Sequence, residues 1–104
     1  MFSLAEENQF KLTDGVQAIY FYANWMPFLQ KMNIMISKVE DKYQQISFIG
    51  VDVDNFKSLT KRFKVESVPT TVILINGEEQ KRIVGVTMTS AFKSAFVDIF
   101  KNQK

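Results

Sequence analysis

The sequence predicts an α/β domain built on a central mixed β-sheet with helices on both faces. Three observations lead there. Residues 16–23 (Val-Gln-Ala-Ile-Tyr-Phe-Tyr-Ala) are almost continuously apolar, β-branched and aromatic. Such a run reads as a strand buried on both faces, as in the middle of a parallel sheet. From Pro27 the apolar period changes to three and four, so a helix follows the strand directly. Asn76-Gly77 then separates two apolar runs, which is the strongest short hairpin signal. The first half therefore reads as βαβ with a right-handed crossover. The second half adds an antiparallel hairpin and a covering helix.

Each element has its own reason. Residues 6–12 are expected to form a short helix with Phe10 inward, and Asp14-Gly15 a turn. After the strand at 16–23, Pro27 suits the first turn of the long helix. Leu29, Met32, Ile36, Val39 and Tyr43 make its apolar stripe, with Gln30, Lys31, Asn33, Lys38 and Asp41 mostly off it. Ile34 and Met35 widen that surface, so the helix should be well covered. Residues 46–53 make a second strand, and Asp54-Asn55 can cap the helix that follows. Phe56, Leu59 and Phe63 face inward there, with Lys57, Lys61, Arg62 and Lys64 outside as a solvated basic face. Residues 65–71 form an extended loop into a strand at 72–75, and 79–84 return from the hairpin until Gly85 interrupts. Thr89-Ser90 can cap a last helix that turns Phe92, Ala95, Phe96, Ile99 and Phe100 inward, and the tail from 101 to 104 should fray.

Composition narrows the function classes. A chain of 104 residues suits one domain over 1–104. Its ten Phe supply a core that needs no covalent staples. A net charge of only +2, with both signs interspersed, argues against nucleic acid as a partner. Neither Cys nor His is present. That excludes disulfides, thiol catalysis and the usual transition-metal sites, and with them His general-base chemistry. Asp52 and Asp54 lack the further clustered oxygens a cation needs. Ser47, Ser58, Ser67 and Ser90 have no residue to activate them. No metal, no cofactor and no catalytic residue is expected. No run approaches the roughly 18 apolar residues of a membrane span. The start of the chain lacks the basic, then apolar, pattern of a secretion signal. A cytoplasmic protein with no membrane partner is the expectation, and its oligomeric state is open.

The element order, with a Pro opening the hairpin, resembles the thioredoxin family over essentially the whole chain. Phe21-Tyr22-Ala23-Asn24-Trp25 is similar to the family's Phe-Trp-Ala-x-Trp before the active site. Val51-Asp52-Val53-Asp54 is similar to its central-strand ending, and Val68-Pro69-Thr70 to the loop whose proline is cis. Asn76-Gly77-Glu78 matches the hairpin turn, and Val84-Gly85-Val86 the glycine loop beside the active site. The resemblance implies a single-domain thioredoxin fold.

The departures concern chemistry. Where the family has Trp-Cys-Gly-Pro-Cys, this chain has Trp25-Met26-Pro27-Phe28-Leu29. Met26 and Leu29 hold the former thiol positions and cannot attack or resolve a disulfide. The family's buried acid falls at Tyr20, the Lys that often neighbours it at Gly50, and the proline that kinks the long helix at Ile34. A laboratory Cys-to-Ser exchange would leave Gly-Pro and the acid in place, so the pattern reads as natural replacement.

The resemblance then implies a protein-interaction module, an adaptor or chaperone-like binder of protein or extended peptide, rather than an enzyme. Its peptide-binding surface would comprise Trp25, Met26, Pro27 and Phe28, then Val68, Pro69 and Thr70, then Val84, Gly85 and Val86. Met26 and Phe28 are expected to be exposed, and Leu29 to belong to the core. The alternative is a thioredoxin-type disulfide oxidoreductase whose active-site cysteines were removed by engineering.

Overall fold

The apolar run after Gly15 becomes the central strand of a five-stranded sheet in the computed structural model, which describes residues 1–102. This strand, β2 (Val16–Tyr22), lies parallel to β3 (Ser47–Asp52), with Ile19 beside Ile49. On its other side it runs antiparallel to β4 (Thr70–Ile75), with Ile19 opposite Val72. The edges are β1 (Phe2–Ser3), parallel to β3, and β5 (Glu78–Val84), antiparallel to β4. The strand order is β1-β3-β2-β4-β5. Strand β1 has no signal in the sequence because two residues carry no periodicity. It is fastened where the Leu4 N–H donates to the Gly50 carbonyl at 2.8 Å. Charged residues along β5 (Glu78, Glu79, Lys81 and Arg82) keep that open edge from pairing with another strand.

Alternation along β2 splits the core in two. Val16, Ala18 and Tyr20 face α1 (Leu29–Lys42) and α3 (Thr89–Asn102), and pack with Met32, Met35, Ile36, Phe92 and Phe96. Ile19 and Phe21 face the other way, with Phe10, Val51, Leu59, Val72 and Leu74 under α2 (Lys57–Arg62). Each face of a strand with period two thus has its own helical cover. The result is one compact domain with helices on both faces of a mixed sheet.

Several local expectations are corrected. The helix expected over 6–12 is a single 3-10 turn, Glu7–Gln9. The Gln9 carboxamide oxygen accepts from the Ala5 and Glu6 N–H groups, each at 2.9 Å, closing the turn onto its own start. Phe10 leaves it extended but still points inward. Helix α1 begins at Leu29, so Pro27 lies in the preceding turn rather than in the helix. Ile34 sits off the stripe and is 57% exposed, leaving α1 less covered than expected. Helix α2 starts after Phe56, one residue later than an Asp54-Asn55 cap requires. Asp52 shapes that turn instead, its Oδ1 accepting from the Asp54 N–H at 2.9 Å. Thr89 and Ser90 already lie inside α3, whose first turn closes from the Phe92 N–H to the Met88 carbonyl at 3.0 Å. Of the tail expected to fray, Lys101 and Asn102 end α3, and residues 103–104 lie outside the described residues.

The topology gathers the junctions that matter. The C-terminal ends of β2, β3 and β5 and the N-terminal end of β4 share one end of the sheet, through the pairs Tyr22 with Asp52, Phe21 with Thr70, and Thr70 with Val84. Among the described residues, no helix is long and apolar enough to cross a membrane.

Candidate functional site

The turn from β2 into α1 is closed by the Met26 N–H, which donates to the Ala23 carbonyl at 3.1 Å. This reversal folds the Met26 side chain into the core beneath α1 and leaves Trp25 and Phe28 outside, 70% and 61% exposed. The expectation that Met26 is exposed is therefore corrected: at 5% exposure it is a core side chain whose edge reaches the surface. Leu29 opens α1 half-buried against the same core. Phe28 holds φ at +65°, the left-handed region, immediately before the helix. A side chain with a Cβ is disfavoured there by roughly 1–2 kcal/mol. Phe28→Gly is accordingly expected to raise unfolding free energy by about 1 kcal/mol, and Phe28→Ala to give no such gain. Urea denaturation of the two variants checks this.

The end of β3 braces the turn. The Trp25 indole N–H donates to Asp54 Oδ2 at 2.9 Å. Asp52 is buried and accepts from the Asn24 and Asn55 carboxamides at 3.1 and 3.3 Å. The loop before β4 completes the site. Its Val68–Pro69 peptide bond is cis, and the Thr70 hydroxyl donates to the Ser67 carbonyl at 2.7 Å. The Gly85 N–H, from a residue at φ +84°, donates to the Pro69 carbonyl at 2.8 Å and ties the glycine loop to this one. Among the described residues nothing hydrogen-bonds the Val68 N–H or carbonyl.

Every sequence-predicted site residue thus lies at this end of the sheet, but not in one role. Trp25, Met26, Pro27 and Val68 wall a cavity of about 490 Å³. Phe28, Val84 and Val86 are exposed outside that cavity, with Gly85 half-buried between the two valines. Pro69 and Thr70 are buried and offer a partner no side-chain surface. Sequence reasoning missed Val53, Thr60, Val65, Glu66 and Ser67, which complete the cavity wall. It also missed Asp54 as the partner of Trp25. The signal for Asp54 was available, since an indole N–H beside a strand end needs an acceptor.

Behind the turn, Tyr20 is fully buried, and among the described residues its hydroxyl has no partner. Burial first, and the neighbouring Tyr22 second, hold its phenol well above the ordinary value of 10.0. The two rings stack at 5.3 Å and 17°. Thr71, directly opposite Tyr20 in β4, has a second unpartnered hydroxyl. On the other flank a side chain at Gly50 would come within 3.2 Å of the Met1 sulfur. Among the described residues no three acidic, His or Cys side chains cluster to hold a metal.

The thioredoxin family model matches residues 5–98. The chain belongs to the thioredoxin family. It is 37% identical over 67 residues to thioredoxin H-type of Fagopyrum esculentum, covering 64% of this chain and 58% of that protein. To thioredoxin-2, mitochondrial, of Schizosaccharomyces pombe it is 33% identical over 72 residues, covering 69% and 54%. These matches therefore span little more than half of either relative. With thioredoxin-1 of Saccharomyces cerevisiae the identity is 30% over 82 residues, covering 79% of each chain. The solved structure of thioredoxin O2 from Arabidopsis thaliana superposes with a TM-score of 0.87 at 23% identity, over 95% of this chain and 93% of that one. That likeness shows the thioredoxin fold.

Thioredoxins are disulfide oxidoreductases, and the matched relatives carry that name. This overturns the expectation that the chain is simply not an enzyme: its family is an enzymatic one, although the chain has no cysteine. Within the thioredoxin frame, Met26 and Leu29 occupy the places on either side of Pro27-Phe28 where the resemblance puts the thiols. The same resemblance puts the buried acid at Tyr20.

Proposed function

We propose that this thioredoxin-family domain binds extended polypeptide at the end of the sheet where Trp25, Phe28, Val68, Val84 and Val86 converge. The observation that carries the reading is Val68, whose backbone donor and acceptor both lack partners among the described residues while the residues around them are tied down. A polypeptide can pair with such a backbone as an added strand. Trp25 and Phe28 then supply exposed aromatic anchors, the residue type that dominates interfaces. The partner is a protein or extended peptide, met in the cytoplasm, rather than nucleic acid or membrane. Anisotropy titration of labelled extended peptides tests this. Trp25→Ala and Phe28→Asp are each expected to weaken binding by about tenfold or more. Unchanged affinity in both variants overturns the reading.

A second reading is favoured by the relatives' names: a disulfide oxidoreductase from which the two cysteines have been removed. It uses the same peptide-binding surface and differs only in the residues at positions 26 and 29. Restoring thiols there separates the two readings.

A further inference from the structure

We infer that the polypeptide bound here carries an acidic segment next to its apolar anchor, seated along the basic rim of α2. This rests on the peptide-binding reading above and adds the chemistry of the partner. The cavity beside Trp25 does not end at the turn. A second cavity of about 520 Å³ adjoins it, and the two share Val53, Thr60, Val65 and Glu66 as walls. Together they make a trough with a largely apolar floor that runs from Trp25 to α2. Its far wall is formed by Lys57, Lys61 and Lys64.

Among the described residues these three ammonium groups make no hydrogen bond or ion pair. Lysines near a helix C-terminus, as Lys61 and Lys64 are here, often serve its free carbonyls. Here Arg82 has taken that role, donating to the Phe63 carbonyl at 2.6 Å and the Lys64 carbonyl at 3.2 Å. The same guanidinium also holds Glu79, at 2.8 and 3.0 Å. Among the described residues, no carboxylate lies within 4.0 Å of Lys57, Lys61 or Lys64. Two acids lie in or beside the trough. Asp54 accepts from the Trp25 indole, and Glu66 sits on the wall shared by the two cavities. With three ammonium groups against the one Glu66 carboxylate in its lining, the α2 end is net cationic, while the Trp25 end is aromatic and apolar. An extended chain with an apolar residue at the Trp25 end and acidic residues reaching α2 complements it. A like-charged chain is repelled.

The chain has a single Trp, placed at the rim of the trough, so its fluorescence reports occupancy. The probes are extended synthetic peptides with one apolar anchor, flanked on one side by Glu, by Gln or by Lys. Expected is binding of the Glu-flanked peptide about tenfold tighter than the Gln-flanked one at low ionic strength, since each exposed pair is weak and three act together. The advantage should fade toward about 0.5 M salt. The Lys-flanked peptide should bind weakest. Combining Lys57→Gln, Lys61→Gln and Lys64→Gln should abolish the Glu preference, so that the Glu- and Gln-flanked peptides bind this variant equally. Combining Lys38→Gln, Lys42→Gln and Lys93→Gln, in the separate groove between α1 and α3, should leave the preference intact. Equal binding of the Glu- and Gln-flanked peptides overturns the charge inference while the peptide-binding site stands. A Glu preference that survives loss of the α2 lysines also overturns it. Absence of binding by every peptide overturns both.

Discussion

Combining Met26→Cys with Leu29→Cys is expected to raise insulin-disulfide reduction above that of the unaltered chain, yet to leave it about 100-fold or more below thioredoxin-1 of Saccharomyces cerevisiae. The gain follows from position. Residue 26 lies just ahead of the α1 N-terminus and residue 29 is the first residue of that helix. The positive end of a helix lowers a thiol's pKa and raises its thiolate fraction. A thiol three residues further on can resolve the mixed disulfide. The shortfall follows from Tyr20. Proton transfer at a resolving thiol needs a group that exchanges protons near neutral pH, and a phenol held above its ordinary value does not. Met26→Cys alone should trap mixed disulfides without turnover, which mass spectrometry under non-reducing conditions detects. A double variant that forms its disulfide but never exceeds the unaltered chain would show that the frame no longer supports exchange. Activity equal to the yeast protein would show that Tyr20 carries no penalty, and would favour the reading in which two cysteines were removed.

The sheet was legible because its signals are long or chemically narrow. Residues 16–23 could be read as a doubly buried strand, and Asn76-Gly77 as the hairpin that joins β4 to β5. The stripes of α1 and α3 followed from their spacing, with Met32, Ile36, Val39, Phe92 and Phe96 all buried. Strand β1 was not legible, since its pairing depends on the Gly50 carbonyl far along the chain. At the site, the frame could be read and the side-chain directions could not. Met26 and Trp25 are adjacent, apolar and equivalent in composition. Only the turn closed from Met26 to Ala23 decides that one enters the core and the other faces out. Likewise the α2 lysines read as an ordinary solvated face. Their significance depends on Arg82, a residue of β5 whose guanidinium reaches the end of α2.

Tyr20 offers the second large effect, and two substitutions there should move stability in opposite directions. Tyr20→Phe deletes a buried oxygen that has no hydrogen-bond partner and keeps the ring that stacks on Tyr22. A buried polar group without a partner carries its desolvation cost uncompensated, so the variant is expected to gain about 1 kcal/mol in urea denaturation. Tyr20→Asp restores the residue type of the family but removes the ring and puts a carboxyl into a closed apolar site. Lost packing and desolvation together are expected to cost about 4 kcal/mol, close to the whole stability of a marginal small domain. The pH dependence gives an independent check. The folded-state phenol titrates above the unfolded value of 10.0, so its contribution is fully present below pH 10 and is lost as pH rises beyond it. The unaltered chain should therefore lose up to about 1.4 kcal/mol per pH unit above that point from this group. Tyr20→Phe should lack that component. Parallel alkaline profiles for the two proteins would mean that Tyr20 is not held neutral by burial. The same packing that excludes water from Tyr20 then limits any route back to thioredoxin chemistry. Thiols can be placed at positions 26 and 29 with small local changes, whereas an acid at position 20 requires the surrounding core, beginning with the stacked Tyr22, to be rebuilt around it.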